Sequence, residues 1–171
     1  MAAMGTRLEQ SLRLHTFRRK AQSFLRQPAF VKIWFVPLWF ILGLSKALLF
    51  AVSFKRLAHY LGQSMGIFAW VPLVDTVQQE QAMQIGCAVR LAARYTPWDS
   101  SCFPQAMAAR LLLGWYGVPY ALCFGVMKDA CSAELKAHAW VTAGRVTVTG
   151  GDRVDRFTVV SVFIDPRIAC P

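Results

Sequence analysis

Acidic residues are scarce in this chain, and scarcest where it is most apolar. Of nine Asp and Glu among 171 residues, only Glu9 falls within the first 56, against ten Lys or Arg; that segment carries a net charge of +9. Residues 57–171 hold nine basic and eight acidic side chains, a net +1. Basicity concentrated on an apolar segment points to peripheral contact with an anionic membrane or an acidic partner. No zinc-finger spacing, aromatic RNA-binding signature or helix-turn-helix pattern accompanies it, so nucleic acid is not expected as a partner. Histidine is rarer still, with His15, His59 and His138 only. The five cysteines (Cys87, Cys102, Cys123, Cys131, Cys170) are odd in number and none has CxxC spacing, which argues against a redox motif, a zinc ribbon or a fully paired disulfide framework. The first thirty residues lack the short apolar core and small-residue cleavage site of a signal peptide. A cytoplasmic protein with free thiols is the expectation. No cofactor is expected, because P-loop, nicotinamide and EF-hand signatures are missing. No metal is expected either: Cys102, Cys123, Cys131 and His138 fit no standard zinc-ligand spacing.

What is present is apolar surface. At 56% hydrophobic and 16% charged residues, the chain fills a core readily, and its length suits about one domain. Residues 5–27 read as a basic amphipathic helix, with Leu8, Leu12, Phe17 and Phe24 among Arg13, Arg18, Arg19 and Lys20. The tract 29–54 is long enough as a helix to cross a bilayer. Lys32, Pro37 and Lys46 interrupt it, which favours buried helices or an interfacial hairpin. Short and longer helices are expected over 56–70 and 76–95, the second with Thr76 and Gln79 as its capping box.

From Trp98 the texture changes. Asp99-Ser100-Ser101 supplies N-cap residues, and Cys102 opens a helix running to about Tyr116, ended by Gly117-Val118-Pro119. Strand-like runs follow at 120–127, 136–142, 145–149 and 157–163, a helix and then a strand meander. This is an α+β arrangement, with a Cys-bearing helix packed on an antiparallel sheet and an apolar helical region (1–75) before a core of residues 76–171.

A cysteine at a helix start is the strongest local chemistry. Unpaired backbone N–H groups and the positive end of the helix dipole stabilise a thiolate, and the same groups face a developing oxyanion. The competing reading is a small buried cysteine that happens to follow a cap. His138 shifts the balance. On the strand Lys136-Ala137-His138-Ala139-Trp140-Val141, side chains alternate, so His138, Trp140 and Thr142 share one face. Small alanines beside it let a helix end approach, within reach of nucleophile–base chemistry. Taken alone, His138 is equally a satisfied core histidine. His15 and His59 read as surface or packing residues, Cys123 as core, and Cys131 and Cys170 have no obvious base nearby.

Residues 87–163 resemble the protease subunit of lasso-peptide biosynthesis, a branch of the transglutaminase-like superfamily. The segments that carry the likeness are PWDSSCFPQAMAARLLLGWYGVP, YALCFGVMKD, AHAWVTAGRVTVTGG and RFTVVSVF. The resemblance implies a papain/transglutaminase-like core and a Cys-His-Asp triad, with Cys102 as nucleophile and His138 as base and then acid. The third member, an acid on the strand after His138, departs from the pattern. It tends to fall where this chain has Gly150 or Gly151; Asp152 is the nearest acid and Asp155 the next, and either also reads as a solvated loop residue. The implied activity is a cysteine peptidase that cuts the leader peptide from a lasso-peptide precursor. Its implied partners are the precursor leader peptide, a separate leader-recognition protein and an asparagine-synthetase-like macrolactam cyclase. Two rivals remain: another transglutaminase-like amide hydrolase or acyltransferase, and a non-catalytic membrane-associated adaptor.

Overall fold

The computed structural model of the protein describes residues 27–53, 56–57, 61–68, 70–128, 134–151 and 154–167. The expected helix over 5–27 lies almost wholly outside these, as do His15, His59, Cys131, Cys170 and Asp152.

The apolar tract forms one helix rather than a hairpin, α1 (Ala29–Ala51), long and apolar enough to cross a membrane by length and composition. Pro37 lies inside it, removing one backbone donor without ending the helix. The side of α1 carrying Val31, Leu38, Leu42 and Ser45 is buried. It packs on α2 (Thr76–Arg94) and α3 (Cys102–Trp115). Aromatic edges stitch the contact: Trp34 meets Trp115 and Tyr116 at 5.9 and 6.0 Å, Phe35 meets Tyr95 at 5.9 Å, and Trp34 Nε1–H donates to the Tyr116 hydroxyl at 2.7 Å. Full burial of an aliphatic side chain such as Leu38 or Leu42 stabilises by about 1.5–3 kcal/mol.

The helix expected over 56–70 is not formed as such. Only residues 56–57 are helical among those described, and Gln63–Ser64 form the short edge strand β1 instead. Gly62, with φ of 125°, sits where the chain turns into it. The capping box of α2 is one residue earlier than expected. Asp75 Oδ1 accepts from the Gln78 N–H at 2.7 Å, and Gln78 Oε1 accepts from the Asp75 N–H at 3.1 Å. Two orphan donors of the first turn are thereby satisfied.

The sheet adds β2 (Ala121–Lys128), β3 (Leu135–Ala143), β4 (Val146–Thr149) and, after a short 3-10 turn at Val154–Arg156, β5 (Thr158–Ile164). All pairings are antiparallel, in the order β1-β5-β2-β3-β4. The meander therefore holds only through β4. β5 returns to the other side of β2, with a register shift at Phe124/Gly125. Among the described residues the fold is α+β, three helices on an antiparallel five-stranded sheet.

Strand alternation sorts the sheet into two faces. One carries Leu122, Ala139, Val141, Ala143, Val148 and Phe163, and it joins the buried residues of α1, α2 and α3 in a single core. The other carries Ala121, Cys123, Trp140, Val162 and Ile164, packed with Met65, Val154, Phe157 and Val159.

Candidate active site

Cys102 is the first residue of α3 and is half-buried. Ser101 stands at the N-cap, but its hydroxyl makes no capping bond, and the Cys102 backbone N–H is bonded to no described residue. The Ser101 hydroxyl thus leaves the Cys102 amide uncapped, the condition for stabilising a thiolate or an oxyanion there.

The loop before Cys102 is held from several sides. Thr96 Oγ1 donates to one of two carbonyls in reach, Ala93 at 2.8 Å and Trp98 at 3.0 Å, and lies 2.8 Å from the Ser100 hydroxyl. Gln105 Nε2–H reaches back from α3 to the Ser100 carbonyl at 2.7 Å. α1 fastens the same loop from outside: Lys46 Nζ donates to the Asp99 carbonyl at 2.9 Å, and the Trp39 ring packs at a tilt against Trp98 with centroids 4.6 Å apart. Gly43 makes the second contact possible, since a Cβ there would fall 2.8 Å from the Trp98 ring. The apolar front of the chain therefore sets where α3 begins. These positioning residues carry no catalytic signature in the sequence; Thr96, Gln105 and Lys46 read there as ordinary polar side chains.

His138 lies on β3 opposite Gly125 of β2. Its ring stacks on Phe157 at 4.8 Å and on Trp140 at 5.9 Å. Its Nε2–H donates to the Gly150 carbonyl at 2.9 Å, so Nε2 carries the proton and Nδ1 is left with the lone pair when the ring is neutral. The histidine pocket needs two glycines. A Cβ on Gly125 would fall 2.8 Å from the Trp140 ring and 2.9 Å from Phe157 Cβ. A Cβ on Gly150, whose φ is 106°, would fall 2.3 Å from Trp140 Cβ and 3.3 Å from His138 Nε2. Where the resemblance expects an acid, this chain presents a backbone carbonyl, and no side chain fits in its place.

The two principal candidates pack in different clusters. Cys102 packs with the helix-side core, whereas the His138 ring stacks with Trp140 and Phe157 of the opposite face. No hydrogen bond joins the Cys102 sulfur to the imidazole. The alanines flanking His138 do what small residues were expected to do, but for the helix-side face: Ala139 is buried against the helices while His138 is turned away from them. The β3–β4 register ends at Val141↔Thr149, short of His138.

Of the other candidates, Asp152 lies outside the described residues, and Asp155 is exposed in the 3-10 turn just before Phe157. Cys123 is buried mid-strand, and desolvation pushes its thiol up to about 11, which keeps it a neutral packing group at ordinary pH. Among the described residues no cluster of His, Cys, Asp or Glu is arranged to hold a metal ion.

Compared with protein-family models, residues 48–162 match the one described as Transglutaminase-like superfamily. The matched span includes Cys102, His138 and Gly150. No curated protein and no solved structure matches the chain.

Proposed function

The chain belongs to the transglutaminase-like superfamily, and we propose that it is a cysteine peptidase releasing the leader from a lasso-peptide precursor, with Cys102 as nucleophile and His138 as base. The observation that carries the reading is Cys102 opening an uncapped helix, on a loop locked by Thr96, Ser100, Gln105 and Lys46, within the matched superfamily core.

In this mechanism Nδ1 of His138 takes the thiol proton and the Cys102 sulfur attacks the carbonyl joining leader to core. The Cys102 amide stabilises the oxyanion, the imidazolium protonates the departing core amine, and a thioester to the leader remains. Water, deprotonated by His138, then releases the leader carboxylate and restores the thiol. The Gly150 carbonyl holds the tautomer throughout, and Asp152 or Asp155 supplies any further negative charge. Nucleophile–base contacts are often longer in substrate-free enzymes than in the reacting complex. A separate leader-recognition protein presents the precursor, and a macrolactam cyclase of asparagine-synthetase type uses the freed amine.

The separate packing of the two side chains favours a second reading, a superfamily member in which His138 only fills the sheet. Incubation with a precursor peptide and its recognition protein, followed by mass analysis, tests the first. The expected result is leader and core as separate products, lost by about a thousandfold or more in Cys102→Ala and in His138→Ala. A thiol-reactive probe separates the two readings without substrate. Selective, fast labelling of Cys102 that slows in His138→Ala fits catalysis; labelling indifferent to His138 sinks it.

A further inference from the structure

The inner side of α1 is committed to the core, but its outer side is largely exposed and has no partner among the described residues. Ile33 is 71% exposed, Phe40 65%, Leu44 63% and Phe50 84%. Ile33, Phe40 and Leu44 follow helical spacing, and every exposed residue of α1 is apolar. The polar residues of the helix sit off this line: Ser45 is buried, and Lys32 and Lys46 are half-buried at its flanks. An apolar line running the length of a 23-residue helix exceeds the scattered exposure expected of a solvated surface.

We propose that α1 is an in-plane anchor that lays this outer face into an anionic membrane surface. Charge selects the occupant. The chain holds nine of its ten net positive charges within residues 1–56, the segment that contains α1. An apolar helix face flanked by basic side chains partitions into the boundary between headgroups and acyl chains, with anionic lipid adding the electrostatic part. A second copy is a poorer occupant, since pairing this face would bring two segments of +9 together. Spanning is also disfavoured: a transmembrane α1 would strip Val31, Leu38 and Leu42 from the core and break the Lys46–Asp99 bond that fixes the loop before Cys102. Docked in the plane, α1 keeps these contacts.

Flotation of the full chain with phosphatidylglycerol vesicles and with phosphatidylcholine vesicles tests this. The full chain is expected to float with the anionic vesicles, to bind the neutral ones at least tenfold more weakly, and to lose binding as salt rises. The double substitution Phe40→Glu, Leu44→Glu, both on the exposed side, is expected to reduce anionic-vesicle binding tenfold or more. Its circular dichroism and melting temperature should match those of the parent chain. Absence of binding to anionic vesicles, binding unaffected by the double substitution, or retention on the membrane through alkaline carbonate extraction overturns the proposal. So does a lipid-free dimer by light scattering that the same substitution dissociates. None of these readouts depends on Cys102 chemistry.

Discussion

The two faces of the sheet are built from the same strands and serve different ends. The helix-side face is largely aliphatic and small: Leu122, Ala139, Val141, Ala143 and Val148 close against α1, α2 and α3. The opposite face is aromatic and polar, with His138 held between Phe157, Trp140 and the Gly150 carbonyl. One face contributes mainly stability, and the other spends part of its packing on holding an imidazole in one tautomer. The difference shows that alternation within a strand separates structural from chemical duty over one residue's distance.

Substitutions on the two faces should therefore fail differently. The largest stability effect is expected from Leu122→Ala, which empties a fully buried site on the helix side. A loss of about 2–5 kcal/mol by denaturant unfolding is expected, with residual activity per folded molecule unchanged. Gly150→Ala comes next, at about 2–4 kcal/mol, because it combines a left-handed backbone with a Cβ driven into Trp140. It should also remove activity by shifting the carbonyl from Nε2. Gly151→Ala is the control: its φ is 74° but nothing lies near the new Cβ, so about 1 kcal/mol and near-normal activity are expected. If Gly150→Ala and Gly151→Ala behave alike, the carbonyl does not position His138.

Cys123 extends the contrast to pH. Its folded-state value of about 11 lies above the ordinary 9.0. Below the ordinary value both states hold the proton and nothing is lost. As pH rises from about 9 towards 11 the unfolded chain ionises and the folded one does not, so stability falls, by ~2–3 kcal/mol at most. Unfolding measured at pH 8 and pH 10.5 should show that slope in the parent and a smaller one in Cys123→Ala. The smallest effect is expected for Phe157→Leu, which keeps apolar bulk but loses the stacked ring. About 1 kcal/mol is expected, with a greater fall in the proposed activity than in stability. An unaltered activity would reduce the aromatic face to packing.

Much of this architecture was legible from residue order. Asp99-Ser100-Ser101 before Cys102 placed the start of α3 within those few residues, and the β3 pattern put His138 and Trp140 on one side. The two-residue strand Gln63–Ser64 was not legible, because a pairing that short is decided by its partner β5 and not by local propensity. Nor was the cap of α2. Asp75 and Gln78 fit the reciprocal bond as well as Thr76 and Gln79 do, and only backbone geometry chooses between them. The positioning of Cys102 by Lys46 and Trp39 joins residues more than fifty positions apart, beyond any local signal.

By itself, the sequence determined the Cys-bearing helix and the main strands after it, which side chains share a strand face, and that positive charge gathers on the apolar front. These follow from chain stereochemistry and composition, which act over a few residues. Only the tertiary structure decided which strand face the helices cover, that β5 lies beside β2, that a glycine carbonyl holds His138, and which side of α1 stays bare. Each of those depends on what a distant segment brings into contact, and alternation alone is symmetric between the two sides.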